Sequence, residues 1–248
     1  TSGSPPQVFS SLGSPKSFTA FLNSREYKLS QANTIITLFE GGMGDQVLQT
    51  EAVLQFQKNF PHKSIFPSVY ERYHPIIQNM AGLNHVLNRS QPQTKIKPDA
   101  IVDNHTQYIS DPRGMLYGKA SLYGASLGLH KVTQKASLKI PLEDRFSFLD
   151  SLQLPLENYS HPFLGLHIRS GSGHAKSWNT EPAELLARLV IQKFNSTVFL
   201  FGDQKDWQLH HEKAIRIGPP LSWYQTACAI SALNLLVCID SGPMHLAR

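Results

Sequence analysis

Residues 34–53 read TIITLFEGGMGDQVLQTEAV, an apolar, β-branched run that breaks at three glycines and an aspartate and resumes as an apparent helix. Residues 235–248, LLVCIDSGPMHLAR, have the same build: five apolar residues, then Asp-Ser-Gly-Pro, then what reads as the first turn of a helix. Each is a strand–turn–helix corner, the unit from which α/β sheets are made.

The segments between the two corners continue the alternation. TIITLF is a short strand, and QVLQTEAVLQFQKNF is a helix stopped by Pro61. KSIFPSVY, HVLN and DAIVDN read as strands, with ERYHPIIQNM as an interrupted helix among them. GMLYGKASLYGASLGL has helical spacing, and Gly128 lies near its end. Residues 152–162, LQLPLENYSHP, lose the periodicity and carry two prolines, the mark of a linker. Beyond them PFLGLHI, TVFLF and LLVCI are strands, and SWYQTACAISA is a helix. EPAELLARLVIQKF is a further helix, with Leu185, Leu186, Leu189 and Val190 expected on its buried face. The expected organisation is a poorly structured segment over 1–30, a first α/β domain over 31–152, a linker over 153–161 and a second α/β domain over 162–248. The second sheet reads as incomplete. Both ends read as cut, so the sequence is expected to be a piece of a longer reading frame.

Composition bounds the function. The 248 residues are 41% hydrophobic and 17% charged, an ordinary globular balance. The net charge of +5 suits a phosphate-bearing ligand and admits peripheral contact with an anionic membrane. No Lys/Arg run with interleaved aromatics is present, which argues against nucleic acid as a partner. Cys228 and Cys238 fit neither a disulfide framework nor zinc spacing, which points to a reducing compartment. No apolar stretch approaches a membrane span and the first residues do not resemble a signal peptide. The expected location is cytoplasmic, with the inner face of the cell membrane admitted as a place of peripheral contact.

Three corners hold candidate chemistry. In GGMGD, Gly42 and Gly44 permit a tight turn and close approach of a ligand or acceptor, and Asp45 follows. As a dinucleotide fingerprint the stretch is poor, because Val47 stands where a third glycine belongs. The alternative at this point is a turn with a helix-capping Asp. Its position at the carboxyl end of the first strand, where open α/β sheets bind ligands, favours the functional reading. In HIRSGSGHAKSWN a strand opens into a Ser/Gly loop with Arg169, Ser170 and Lys176, the last a point charge suited to phosphate. In DSGPMHLA, Asp240 is either a cap or a ligand, Ser241, Gly242 and Pro243 form a phosphate-compatible turn, and Met244 and His245 follow within the helix.

GGMGDQVLQTEAVLQFQKNFP, the loop with AKSW and DSGPMHLA together resemble, in order, the motifs of the ADP-heptose:lipopolysaccharide heptosyltransferase family of glycosyltransferases (glycosyltransferase family 9). The resemblance implies the GT-B fold, two Rossmann-like domains with parallel sheets. It implies transfer of a sugar from a nucleotide-diphosphate-sugar, with ADP-heptose one candidate, to a hydroxyl of a glycan or glycolipid. The transfer would be inverting, with no cofactor and no metal, and the sequence has no Asp-x-Asp metal motif. Asp45 takes the part of catalytic base. Lys176, Asp240, Ser241, Gly242, Pro243, Met244 and His245 take that of donor binding. HIRSGSG stands where the family usually has a His-Pro-Gly start, so Arg169 and Ser170 are candidate contacts without an assigned role. Asp203 and Asp206, in FGDQKD, are candidates for the nucleotide ribose. The competing readings are a non-catalytic GT-B-like module that binds a nucleotide-sugar or glycan, and a two-Rossmann oxidoreductase, against which the missing glycine and the Lys loop count.

Overall fold

A computed structural model describes residues 7–9, 25–91, 96–104, 119–153, 162–170, 176–218 and 221–247. The chain divides into two compact units, Thr1–Leu138 and Lys139–Arg248.

The first unit is built on a parallel sheet of five strands: β1 (Gln7–Phe9), β2 (Thr34–Leu38), β3 (Ser64–Val69), β4 (Leu87–Asn88) and β5 (Ala100–Asp103). Their order is β1-β5-β2-β3-β4. The β-branched run of β2 takes the centre, where Ile35 and Thr37 on one face and Ile36 on the other are all buried. Helix α1 (Met43–Asn59) leaves the sheet through the glycine turn and ends before Pro61, and α2 (Lys119–Ser126) packs directly on it. From β2 the chain builds β3 and β4 on one side, then crosses to β5 on the other. The reversal puts a topological switch point at the carboxyl ends of β2 and β5.

The second unit opens with helix α3 (Leu142–Ser151) and continues as β6 (Phe163–His167), α4 (Thr180–Phe194), β7 (Thr197–Phe201), β8 (Ala214–Ile217), α5 (Trp223–Ser231), β9 (Leu235–Cys238) and the short α6 (Gly242–Leu246). Its four strands are parallel in the order β8-β7-β6-β9, so the second switch point lies between β6 and β9. One core packs Leu164, Leu166, Val198 and Leu200 against Ala183, Ala187 and Ile191 of α4. Another packs Phe199, Phe201 and Ile217 against α3 and α5.

Several expectations are corrected. Within 1–30, Gln7–Phe9 is a strand paired with β5, and the backbone over 25–30 is helical, with Leu29 buried. The units part after Leu138, not at a linker over 153–161, because Phe148 and Leu149 of α3 belong to the core of the second unit. Apart from Gln153, that linker lies outside the described residues. Strand β8, AIRI, has no counterpart in the sequence reading. Helix α4 is rotated from expectation: Ala183, Ala187 and Ile191 are its buried line, while Leu185 and Leu189 are 57% and 53% exposed.

Candidate active site

At the β2–β5 switch point the chain leaves the strand through Glu40 and reverses at Gly41, whose φ of +85° lies in the left-handed region. A Cβ there would also lie 2.6 Å from Asp45 Oδ2. The residue that needs to be glycine is therefore Gly41. Gly42 is extended at the N-cap of α1 and Gly44 lies in its first turn. The Gly42 N–H donates to Asp45 Oδ2 at 3.1 Å. Asp45 Oδ1 accepts from the Tyr123 hydroxyl at 3.0 Å and from Lys119 Nζ at 3.3 Å, both on α2. The carboxylate of Asp45 thus caps the turn and faces α2 as well. One oxygen closes the turn, the other sits among charged and hydroxyl donors, and the side chain keeps 21% exposure.

Glu40, the other acid at this strand end, is committed elsewhere. Its carboxylate accepts from the Tyr70 hydroxyl at 2.9 Å and pairs with Arg89, whose guanidinium lies 4.8 Å over the Tyr70 ring. The hydrogen bond to Glu40 is the leading cause that pushes the Tyr70 phenol above its ordinary value. Asp45 is held in the same way, by Lys119 and Tyr123, and is the candidate of the two on its place in the glycine turn at the start of α1.

Behind the turn lies a buried polar network. Gln49 Nε2 donates to the carbonyls of Glu40 (2.7 Å) and Asp45 (3.1 Å), and Gln49 Oε1 accepts from Glu40 N–H and Asn104 Nδ2, each at 3.2 Å. Asn104 Nδ2 also donates to Thr37 Oγ1 at 3.0 Å. The Ser126 hydroxyl donates to Asn104 Oδ1 at 2.5 Å, and the Tyr123 carbonyl lies 2.6 Å from the same hydroxyl. Gln46 Nε2 adds a second donor to the Glu40 carbonyl at 3.0 Å, while its Oε1 is buried with no hydrogen-bond partner among the described residues.

At the β6–β9 switch point the second and third corners meet. Lys176 Nζ lies 2.7 Å from Asp240 Oδ2, and His245 Nε2 lies 3.9 Å from Asp240 Oδ1. Ser241 Oγ is 3.1 Å from His167 Nδ1, which ties the turn after β9 to the end of β6. Burial lowers the His167 pKa to about 4 against a smaller opposing pull from Asp206, so the ring is neutral near pH 7. Pro243 is buried in the first turn of α6, and the Met244 N–H is taken by the Ser241 carbonyl at 3.1 Å. Arg169 and Asp206 are drawn into the frame of this end of the sheet. Arg169 Nε pairs with Asp206 Oδ1 at 3.3 Å and Nη2 donates to Thr180 Oγ1, which itself donates to the Asp206 carbonyl. The Ser170 N–H donates to Ser177 Oγ, and Asp203 pairs with Lys205 at 3.1 Å. Residues 171–175 of the Lys loop lie outside the described residues.

The sequence reading named Asp45, Lys176 and the 240–245 turn. It missed Gly41, Lys119, Tyr123, Asn104 and His167, which are joined to the site by contacts that no spacing along the chain displays. Among the described residues, no group of three or more His, Cys, Asp or Glu is placed to hold a metal ion, and no helix is long and apolar enough to cross a membrane.

Solved structures resemble this fold. ADP-heptose lps heptosyltransferase II of E. coli superposes with a TM-score of 0.66 at 18% identity, covering 86% of this chain and 81% of that one. A family 9 glycosyl transferase from Veillonella parvula gives 0.65 at 19% identity, covering 87% and 78%. E. coli heptosyltransferase WaaC with ADP-2-deoxy-2-fluoro heptose gives 0.55 at 15% identity, covering 86% and 85%. A comparison with curated proteins finds no match. The fold is the GT-B class that the motifs implied, α/β with two Rossmann-like units of parallel sheet. The model of glycosyltransferase family 9 (heptosyltransferase) matches residues 65–248, most of the sequence, and the chain belongs to that family of glycosyltransferases.

Proposed function

We propose that the protein transfers a sugar from a nucleotide-diphosphate-sugar to a hydroxyl of a glycan or glycolipid, by single inverting displacement and without a metal. The observation that carries this reading is the occupancy of the two switch points. Asp45 stands at one, and Lys176 stands with Asp240 and the Ser241 turn at the other. Structures of related fold contain ADP or ADP-sugars: WaaC with ADP-2-deoxy-2-fluoro heptose, and TibC with ADP-D-beta-D-heptose. ADP-heptose is accordingly the first donor to try.

In this reading the Asp45 carboxylate accepts the proton of the acceptor hydroxyl as its oxygen attacks the anomeric carbon and the bond to the diphosphate breaks. Gly42 N–H and Tyr123 fix the carboxylate, so its orientation is set before the acceptor arrives. Lys176 neutralises charge growing on the leaving diphosphate, with the turn over 240–245 beside it. Asp240, 2.7 Å from Lys176, takes sugar hydroxyls where the ammonium takes phosphate oxygens. Lys176 and Asp240 are both half-exposed or more, so their pairing is worth at most about 1 kcal/mol and yields readily to a diphosphate.

Asp45→Asn tests the reading with ADP-heptose as donor and a heptose-deficient lipopolysaccharide core as acceptor. Turnover is expected to fall about 10²–10⁴-fold, with donor binding kept. Transfer by Asp45→Asn at the unaltered rate would sink the assignment of the base.

A further inference from the structure

We propose that the buried side chains Gln49, Asn104, Ser126 and Tyr123 form a positioning frame for the carboxylate of Asp45, with Tyr123 as the member that reaches it. This deepens the reading of Asp45 as general base and rests on it.

The hydrogen bonds and the backbone of α2 close a circuit. The Asp45 carbonyl accepts from Gln49, Gln49 accepts from Asn104 and Asn104 accepts from Ser126; the backbone of α2 joins Ser126 to Tyr123, whose hydroxyl returns to Asp45 Oδ1. The circuit joins α1, the end of β5 and α2, with Thr37 of β2 attached through Asn104. Its members are 0–4% exposed. Gln49 and the amide nitrogen of Asn104 use their full capacity, two donated and two accepted bonds in the first and two donated in the second.

A buried network of this kind is a costly way to hold helices together. Desolvating two amides and a hydroxyl costs several kcal/mol before their bonds are made, and apolar side chains would pack α1 on α2 without that cost. What the network does, and apolar packing would not, is fix orientation. It sets the rotation of α2 about its axis, and thereby the Tyr123 hydroxyl, to the carboxylate at the opposite side of the turn. A misplacement of about 1 Å at a reacting group can cost about 10²-fold in rate, so such a frame has a purpose beyond stability.

The test compares Tyr123→Phe, which removes one hydroxyl, with Ser126→Ala, which touches the circuit away from Asp45. Both are assayed beside Asp45→Asn with ADP-heptose and the heptose-deficient core. In both, kcat is expected to fall about 5- to 100-fold with the KM for donor within twofold, and Tyr123→Phe added to Asp45→Asn should cost nothing further. A readout free of substrate is the carbon NMR chemical shift of the Asp45 carboxyl at fixed pH. Lys119 and Tyr123 of α2 both donate to this carboxylate. Loss of the Tyr123 donor should move that shift, because one hydrogen bond to Oδ1 is gone. If Asp45→Asn keeps its turnover, the base reading falls and the frame with it. If Asp45→Asn loses turnover while neither kcat nor the Asp45 carboxyl shift moves in the other two variants, the frame alone is overturned. Thermal melts accompany each variant, and a lowered melting temperature with both readouts unmoved likewise counts against it.

Discussion

At Gly41 a single residue settles two demands at once. Its φ of +85° excludes ordinary side chains, and a methyl group there would sit 2.6 Å from the Asp45 carboxylate oxygen. Gly41→Ala should cost about 1–2 kcal/mol in denaturant unfolding and displace Asp45. Gly42→Ala, extended and 4.0 Å from the same oxygen, should cost well under half of that. Equal losses at the two positions would remove the argument. Lys176 and Asp240 make a second pair with opposite expectations. Lys176→Ala should weaken binding of ADP by about tenfold or more in calorimetry, since a charged contact to phosphate is lost, while adenosine binding is spared. Asp240→Asn should leave ADP binding unchanged or slightly tighter, because the internal competitor for the ammonium is gone, yet abolish measurable transfer. Asp45, Lys176 and the turn from Asp240 were legible because glycines, an acid and a lone cation at strand ends have a local signature. Lys119 and Tyr123 were not, since 74 and 78 residues separate them from Asp45 and only the fold of α2 onto α1 brings them together.

Among the elements, those with an unbroken apolar run were readable: β2, β6, β7 and β9 all follow from β-branched and large apolar residues between turn signals. Strand β8 was missed because AIRI is four residues long, half-buried and carries Arg216 in its middle. Strand β1 was missed because QVF sits among prolines and serines, and among the described residues its support is pairing with β5. The rotation of α4 has a steric cause. Ala183 and Ala187 let the helix axis lie close over β6 and β7, so the leucines that dominate its pattern are turned partly outward. Helix α3 gives the prediction at this scale. Phe148 is packed with Phe199, Phe201 and Cys228, and Tyr224 of α5 donates to Asp144 at 2.5 Å. Phe148→Ala should therefore destabilise the second unit by about 3 kcal/mol, with loss of hydrogen-exchange protection in α5 and none in α1. Protection lost in α1 instead would return α3 to the first unit.

Across the whole molecule the common theme is that each sheet reverses strand order once, and polar groups gather at each reversal. In the second unit one half-buried member of that set is His167, and it links the site to stability. Its folded pKa of about 4 lies below the ordinary 6.5, so it is neutral in the folded chain where the unfolded chain has begun to take a proton. At pH 7 the difference contributes little, since both states are mainly unprotonated. As the pH falls from 6.5 towards 4, the unfolded state binds the proton and the folded state does not, so stability drops through that window and levels below it. The loss approaches about 3 kcal/mol, with desolvation the cause and Asp206 a partial offset. His167→Asn keeps a polar partner for Ser241 Oγ and removes the titration. Urea unfolding at pH 7 and pH 4.5 should show a smaller difference between the two conditions in that variant than in the parent chain. An identical pH dependence in both would mean that the His167 pKa is the same in the folded and the unfolded chain, and that burial does not hold its ring neutral.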